Sequence, residues 1–105
     1  MKRITFVVVS ILICSVSMFG QGFHKDVIPT LGGDLGITFI GHGTLMFEYQ
    51  GKVIHVDPWS QLADYDSLPK ADIILVTHEH GDHLDPKAIE TLTKEGTELY
   101  LNQNS

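Results

Sequence analysis

An apolar run, Ile73-Ile74-Leu75-Val76, ends directly in Thr77-His78-Glu79-His80-Gly81-Asp82-His83-Leu84-Asp85, and Pro86 follows. No other stretch constrains the chain as tightly. The apolar run predicts a strand covered on both faces. Asp85 is a good helix N-cap and Pro86 suits the first helical position. Ala88, Ile89 and Leu92 then recur at helical spacing, Gly96 offers a stop, and Thr97-Glu98-Leu99-Tyr100-Leu101 reads as the next strand. The order strand, helix, strand is a βαβ unit with an expected right-handed crossover. The polar cluster therefore falls at the end of a buried strand, where open α/β sheets carry their sites.

The cluster holds three of the six histidines. Neutral imidazoles and carboxylates suit zinc, manganese or iron. A helical His-Glu-x-x-His zinc site is excluded, because Asp82 stands four residues after His78 and Gly81 would weaken the helix. Read as a loop, His78 and His80 reach one metal, and Asp82 and His83 turn toward a second one nearby. Two metals so placed can clamp a hydrolytic transition state. A lone histidine is usually only a solvated side chain. The four-position pattern should arise by chance in roughly one chain in ten thousand at ordinary residue usage. Glu79 is given no role, and Asp85 is fully explained as a cap.

His78-x-His80-x-Asp82-His83 resembles the signature of the metallo-β-lactamase superfamily. Ile37-Thr38-Phe39-Ile40-Gly41-His42-Gly43-Thr44 and Val53-Ile54-His55-Val56-Asp57-Pro58-Trp59 resemble its lactonase-like, metal-dependent hydrolase branch, and more distantly a phospholipase D acting on N-acyl ethanolamine lipids. The third and fourth positions of Gly-His-Gly-Thr are more often Ala-Ser in that branch. The resemblance runs from about residue 36 to about residue 101. It implies an α/β fold, the N-terminal half of a metallo-β-lactamase-like αββα sandwich, with a mixed sheet and helices on its outer face. It also implies two divalent metal ions, zinc first and manganese or iron as alternatives, held by His78, His80, Asp82 and His83, with Asp82 catalytic. A metal-activated hydroxide would attack a carbonyl or phosphorus centre. A redox di-iron member commonly carries glutamate where His80 stands, so His80 favours hydrolysis. No histidine follows His83, although such proteins draw further ligands from a second αβ half. The expectation is thus an N-terminal part of a longer hydrolase of lactones, esters or phosphodiesters, with weak metal binding and little turnover on its own. The alternatives are a non-catalytic fragment of the fold and a lipid phosphodiesterase.

The remaining segments fill in around this. Met1-Lys2-Arg3 followed by an uncharged apolar run to Phe19 reads as an export signal over residues 1–20, or as an uncleaved membrane anchor. Cys14, the only cysteine, follows bulky Ile13, which disfavours lipidation. Without the signal there is no disulfide and no thiolate ligand. The formal charge of −6 becomes −8 when Lys2 and Arg3 leave. That acidity argues against a nucleic-acid partner and leaves a small-molecule or lipid substrate. Residues 21–35, with Pro29, Gly32 and Gly33, read as a linker containing a solvated His24. Residues 36–40 form a first strand. Leu45, Phe47 and Tyr49 line one face of the next. Gln50-Gly51 turns the chain, and residues 52–56 return as a hairpin partner. His55 alternates with apolar residues and reads as structural or partly exposed. His42, between two glycines, reads equally well as a turn histidine or as a neighbour of the site, and the resemblance tips it toward the site. Asp57 precedes Pro58 as a turn carboxylate could. The resemblance places it beside the metals, orienting a ligand. Trp59 is either a pocket wall or plain packing. Residues 60–72 read as a loop with a short helical turn.

Overall fold

The computed structural model describes residues 22–104. The export signal expected over residues 1–20 lies outside them. Among the described residues no helix is long and apolar enough to cross a membrane.

Six strands form one sheet in chain order. They are β1 (His24–Thr30), β2 (Gly33–Gly41), β3 (Thr44–Tyr49), β4 (Lys52–Val56), β5 (Ile73–Val76) and β6 (Glu98–Leu101). The first four pair antiparallel through tight turns. β5 and β6 add in parallel, which requires longer crossovers. The β4–β5 crossover carries a 3₁₀ turn, Tyr65–Ser67. The β5–β6 crossover carries α1 (Pro86–Leu92), capped by Asp85, whose side chain accepts from the backbone of Lys87 and Ala88. This is the mixed α/β sheet of a partial metallo-β-lactamase-like fold.

Both crossovers cover the same face. Tyr65, Leu68, Ala71, Ala88 and Leu92 pack with Ile40, Met46, Ile74 and Val76 as the buried core. At seven residues α1 is too short to be stable alone. Its Ala88 and Leu92 side are fixed by this packing.

The opposite face is also apolar. Cross-strand partners place Phe39, Leu45, Val56, Leu75 and Tyr100 in one row, with Ile37, Phe47, Ile54 and Ile73 in the next. Nothing among the described residues covers that face, and Phe39 and Tyr100 are 42% and 54% exposed.

Several expectations change. The segment read as a linker contains β1, because its Pro29 lies in an edge strand that pairs on one side only. The first expected strand also starts earlier, at Gly33. The fully buried face of β3 is Thr44 and Met46. Leu45, Phe47 and Tyr49 share the other, half-buried face. β5 is covered on one face, with Ile74 and Val76 buried and Leu75 exposed. α1 ends at Leu92 rather than near Gly96, where the Thr91 and Thr93 hydroxyls bond back to the carbonyls of Lys87 and Ile89. Gly96 instead supplies a positive φ before β6. The Gln50-Gly51 turn is as expected, with both residues at positive φ.

Candidate metal centre

Asp57 ends β4 in the left-handed region, at φ 47°. An aspartate adopts this conformation more readily than most side chains. It is 2% exposed. Its backbone is held by two bonds. Its N–H donates to Leu75 O at 2.9 Å, and its carbonyl accepts from Thr44 Oγ1 at 2.7 Å. The carboxylate therefore points along the sheet edge to the end of β5. There Oδ1 accepts from Thr77 N at 2.7 Å, and Oδ2 accepts from Thr77 Oγ1 at 2.6 Å. The same Oδ2 lies 2.7 Å from His83 Nδ1. A carboxylate only accepts, so this contact takes its proton from Nδ1 of His83, and in the neutral ring Nε2 then keeps its lone pair.

Nε2 of His83 faces Asp82, with 3.3 Å to Oδ2. His78 lies against His83, their ring centroids 3.7 Å apart. One donor atom from each of His78, Asp82 and His83 falls within 4.8 Å of the others. Two converging imidazoles and a carboxylate match the donor set of a divalent ion. The residues present therefore fit such an ion.

The loop closes on itself through the His80 carbonyl, which accepts from His83 N and Leu84 N at 2.9 and 2.8 Å. This turn swings Asp82 and His83 back toward His78. His80 packs edge-on beside His78, centroids 4.8 Å apart. It is exposed and lies outside the three-residue group. Glu79 is exposed.

The other residues singled out by sequence fall as follows. His42 is exposed at φ 49° and packs edge-on against Trp59, centroids 5.3 Å apart, rather than against the histidines. Its neighbour Gly43 is the residue that approaches the site. A Cβ there would stand 3.2 Å from His83 Cε1. Asp85 caps α1 and also accepts from Ser60 N at 2.7 Å. Burial works to raise its pKa, but the bonds from Ser60, Ala88 and Lys87 outweigh that and hold it below the usual carboxylate value. His24 is exposed and paired with Asp26 at 2.8 Å.

His55 is wholly buried rather than partly exposed. Its Nε2 faces Pro69 O at 3.0 Å, and its Nδ1 has no partner among the described residues. Burial pushes its pKa below the ordinary value. Burial also pushes the adjacent Tyr65 hydroxyl up to about 12. Tyr65 therefore stays neutral and accepts from Trp59 N at 3.2 Å. Thr77, Thr44 and Gly43 stood within the quoted motifs but were given no role by sequence, although all three shape the centre. Thr77 stands beside the signature and Gly43-Thr44 inside the glycine element, so adjacency was the available signal.

Known proteins can be set beside this geometry. The family model described as "Beta-lactamase superfamily domain" matches residues 36–103. A metal-dependent hydrolase of Flavobacterium johnsoniae is 48% identical over 65 residues, 55% of this chain and 27% of that protein. A second, from Thermodesulfovibrio yellowstonii, is 33% identical over 107 residues, 94% of this chain and 34% of that protein. The crystal structure of a candidate metal-dependent hydrolase from Parabacteroides distasonis superposes with a TM-score of 0.71. It is 58% identical and covers 73% of this chain and 36% of that one. The chain thus spans about a third of the length of these proteins.

Proposed function

Because the chain belongs to the beta-lactamase superfamily, we propose that it is the metal-binding first part of an exported metal-dependent hydrolase acting on lactone, ester or phosphodiester bonds. One observation carries the reading. A buried aspartate aims the lone pair of His83 at the place where His78 and Asp82 also present donors. A structural ion pair would need no such convergence.

In this reading His78, Asp82 and His83 hold one divalent ion, zinc by its donor set. His80, edge-on beside His78, contributes to a second ion. A bound ion there supplies Lewis acidity and lowers the pKa of water toward neutrality, so no serine or cysteine nucleophile is required. The chain's own residues do the rest. Asp57 fixes the ring direction and tautomer of His83. Asp82 holds negative charge at the mouth of the site. Trp59, half-buried beside His42, forms one wall next to the glycine element. Metal binding needs neutral imidazoles, so it weakens in acid. The acidic chain favours a small-molecule or lipid substrate over nucleic acid. Export rests on the apolar segment before residue 20.

The test is elemental analysis of the purified full-length gene product, followed by a screen of lactones, esters and phosphodiesters. The reading expects about two ions per chain, as in a binuclear hydrolase. Asp82→Ala should lower both metal content and turnover. A folded, metal-free protein unaffected by Asp82→Ala would leave a scaffold that only retains the motif.

A further inference from the structure

Thr77 stands between the buried carboxylate and the first histidine of the loop. Its Oγ1 is 2.6 Å from Asp57 Oδ2 and 3.0 Å from His78 Nδ1. A hydroxyl has one proton and two lone pairs. Asp57 can only accept, so the hydroxyl proton goes to Asp57. The contact with His78 then needs its proton from the imidazole, and Nδ1 of His78 must be the protonated nitrogen. Nε2 of His78 is left with its lone pair.

We propose that Thr77 is a positioning residue that relays the Asp57 carboxylate to His78, so that one buried aspartate sets the tautomer of two metal-binding histidines. Asp57 acts on His83 directly and on His78 through the hydroxyl. Both rings then have Nε2 available for the ion, and their centroids lie 3.7 Å apart. Thr77 itself is held at two further points. Its N–H donates to Asp57 Oδ1 at 2.7 Å. Its carbonyl accepts from Asn102 Nδ2 at 3.0 Å, which ties the end of β5 to the end of β6. Its hydroxyl has therefore little freedom to turn away from Asp57. The relay deepens the metal-centre reading, but the tautomer it sets exists before any ion binds.

The test separates the two. Long-range proton–nitrogen NMR of the imidazoles in the metal-free chain reports which nitrogen of His78 carries hydrogen. The relay requires Nδ1–H in the wild type and in Thr77→Ser, which keeps the hydroxyl. Thr77→Val removes the hydroxyl, and His78 should then revert to a mixture of tautomers. Zinc titration of the same proteins should show Thr77→Val weakened about tenfold to a hundredfold, the usual effect of losing an outer hydrogen-bond partner. Thr77→Ser should stay close to wild type. Nε2–H on His78 in the wild type overturns the relay. So does a Thr77→Ser protein as weak as Thr77→Val, since the role would then belong to the methyl group. Nδ1–H on His78 in a chain that binds no zinc would uphold the relay and sink the metal-centre reading.

Discussion

The base and the tip of the histidine loop are built differently. At the base, Thr77, His78 and His83 are connected to a carboxylate that is almost fully buried. At the tip, Glu79, His80 and Gly81 are exposed, and the His80 backbone carries the turn through its carbonyl. The base is anchored by β4 and β5, both inside the sheet. The tip projects past the end of β5, and among the described residues no helix or strand packs on it. Two of the donors, His78 and His83, are thus pre-arranged by the fold of this chain. His80 has a direction set only by its contact with His78. The difference teaches where the site's rigidity comes from. It comes from the strand ends, not from the motif.

The contrast can be broken most severely at Asp57. Asp57→Ala leaves Thr77 N–H, the Thr77 hydroxyl and His83 Nδ1–H without their acceptor. Charged hydrogen bonds and stranded buried donors together put the cost at about 3–4 kcal/mol. Urea unfolding should show that loss. An unfolding midpoint equal to wild type would mean the carboxylate is not the anchor.

Acid should attack the molecule at His55, away from the loop, which sharpens the contrast from another side. His55 is buried with its Nε2 on a carbonyl and its Nδ1 unpaired. Burial lowers its pKa from the ordinary 6.5, so the unfolded chain takes up its proton first. This contribution to stability is complete above the ordinary value and is lost as pH falls through the folded-state value. His55→Gln can keep a donor toward Pro69 O and does not titrate. Its unfolding free energy should show a shallower loss between neutral and mildly acidic pH than wild type. Parallel pH curves for the two would show that His55 does not carry the acid sensitivity.

Gly43→Ala is the mildest probe. The new Cβ meets His83 Cε1 at 3.2 Å, so the ring or the turn must give by a few tenths of an ångström. Zinc affinity should fall by no more than severalfold, and Gly43→Val should fall further. Equal affinities for all three would show that the base tolerates movement and is not pre-arranged.

Much of this was legible in the sequence because local signals agreed. Asp85-Pro86, Gln50-Gly51 and the run into Thr77 each placed an element boundary with its own chemistry, and the structure has all three. β1 was not legible. Its evidence is a backbone ladder to β2, and Pro29 with nearby glycines signals a break more loudly than an exposed edge strand signals itself. The burial of His55 was equally hidden, since strand alternation cannot say which face the crossovers will cover. Residues 78, 82 and 83 were legible as a cluster, but their grouping without His80 depends on the turn at the His80 carbonyl. Thr77 was given no role because a threonine before a motif has no distinctive pattern. Its meaning lies in a carboxylate twenty residues earlier. The even apolar character of the sheet's second face was visible in Leu45, Phe47 and Tyr49, whereas its lack of cover was not.

The most direct test is a zinc titration of the purified chain, wild type beside His83→Ala and His80→Ala. The pre-arranged base predicts that His83→Ala weakens binding by at least about tenfold, and that His80→Ala leaves it within about threefold, since only the first removes a fixed donor. Equal losses for the two variants would contradict the account, because base and tip would then hold the ion alike.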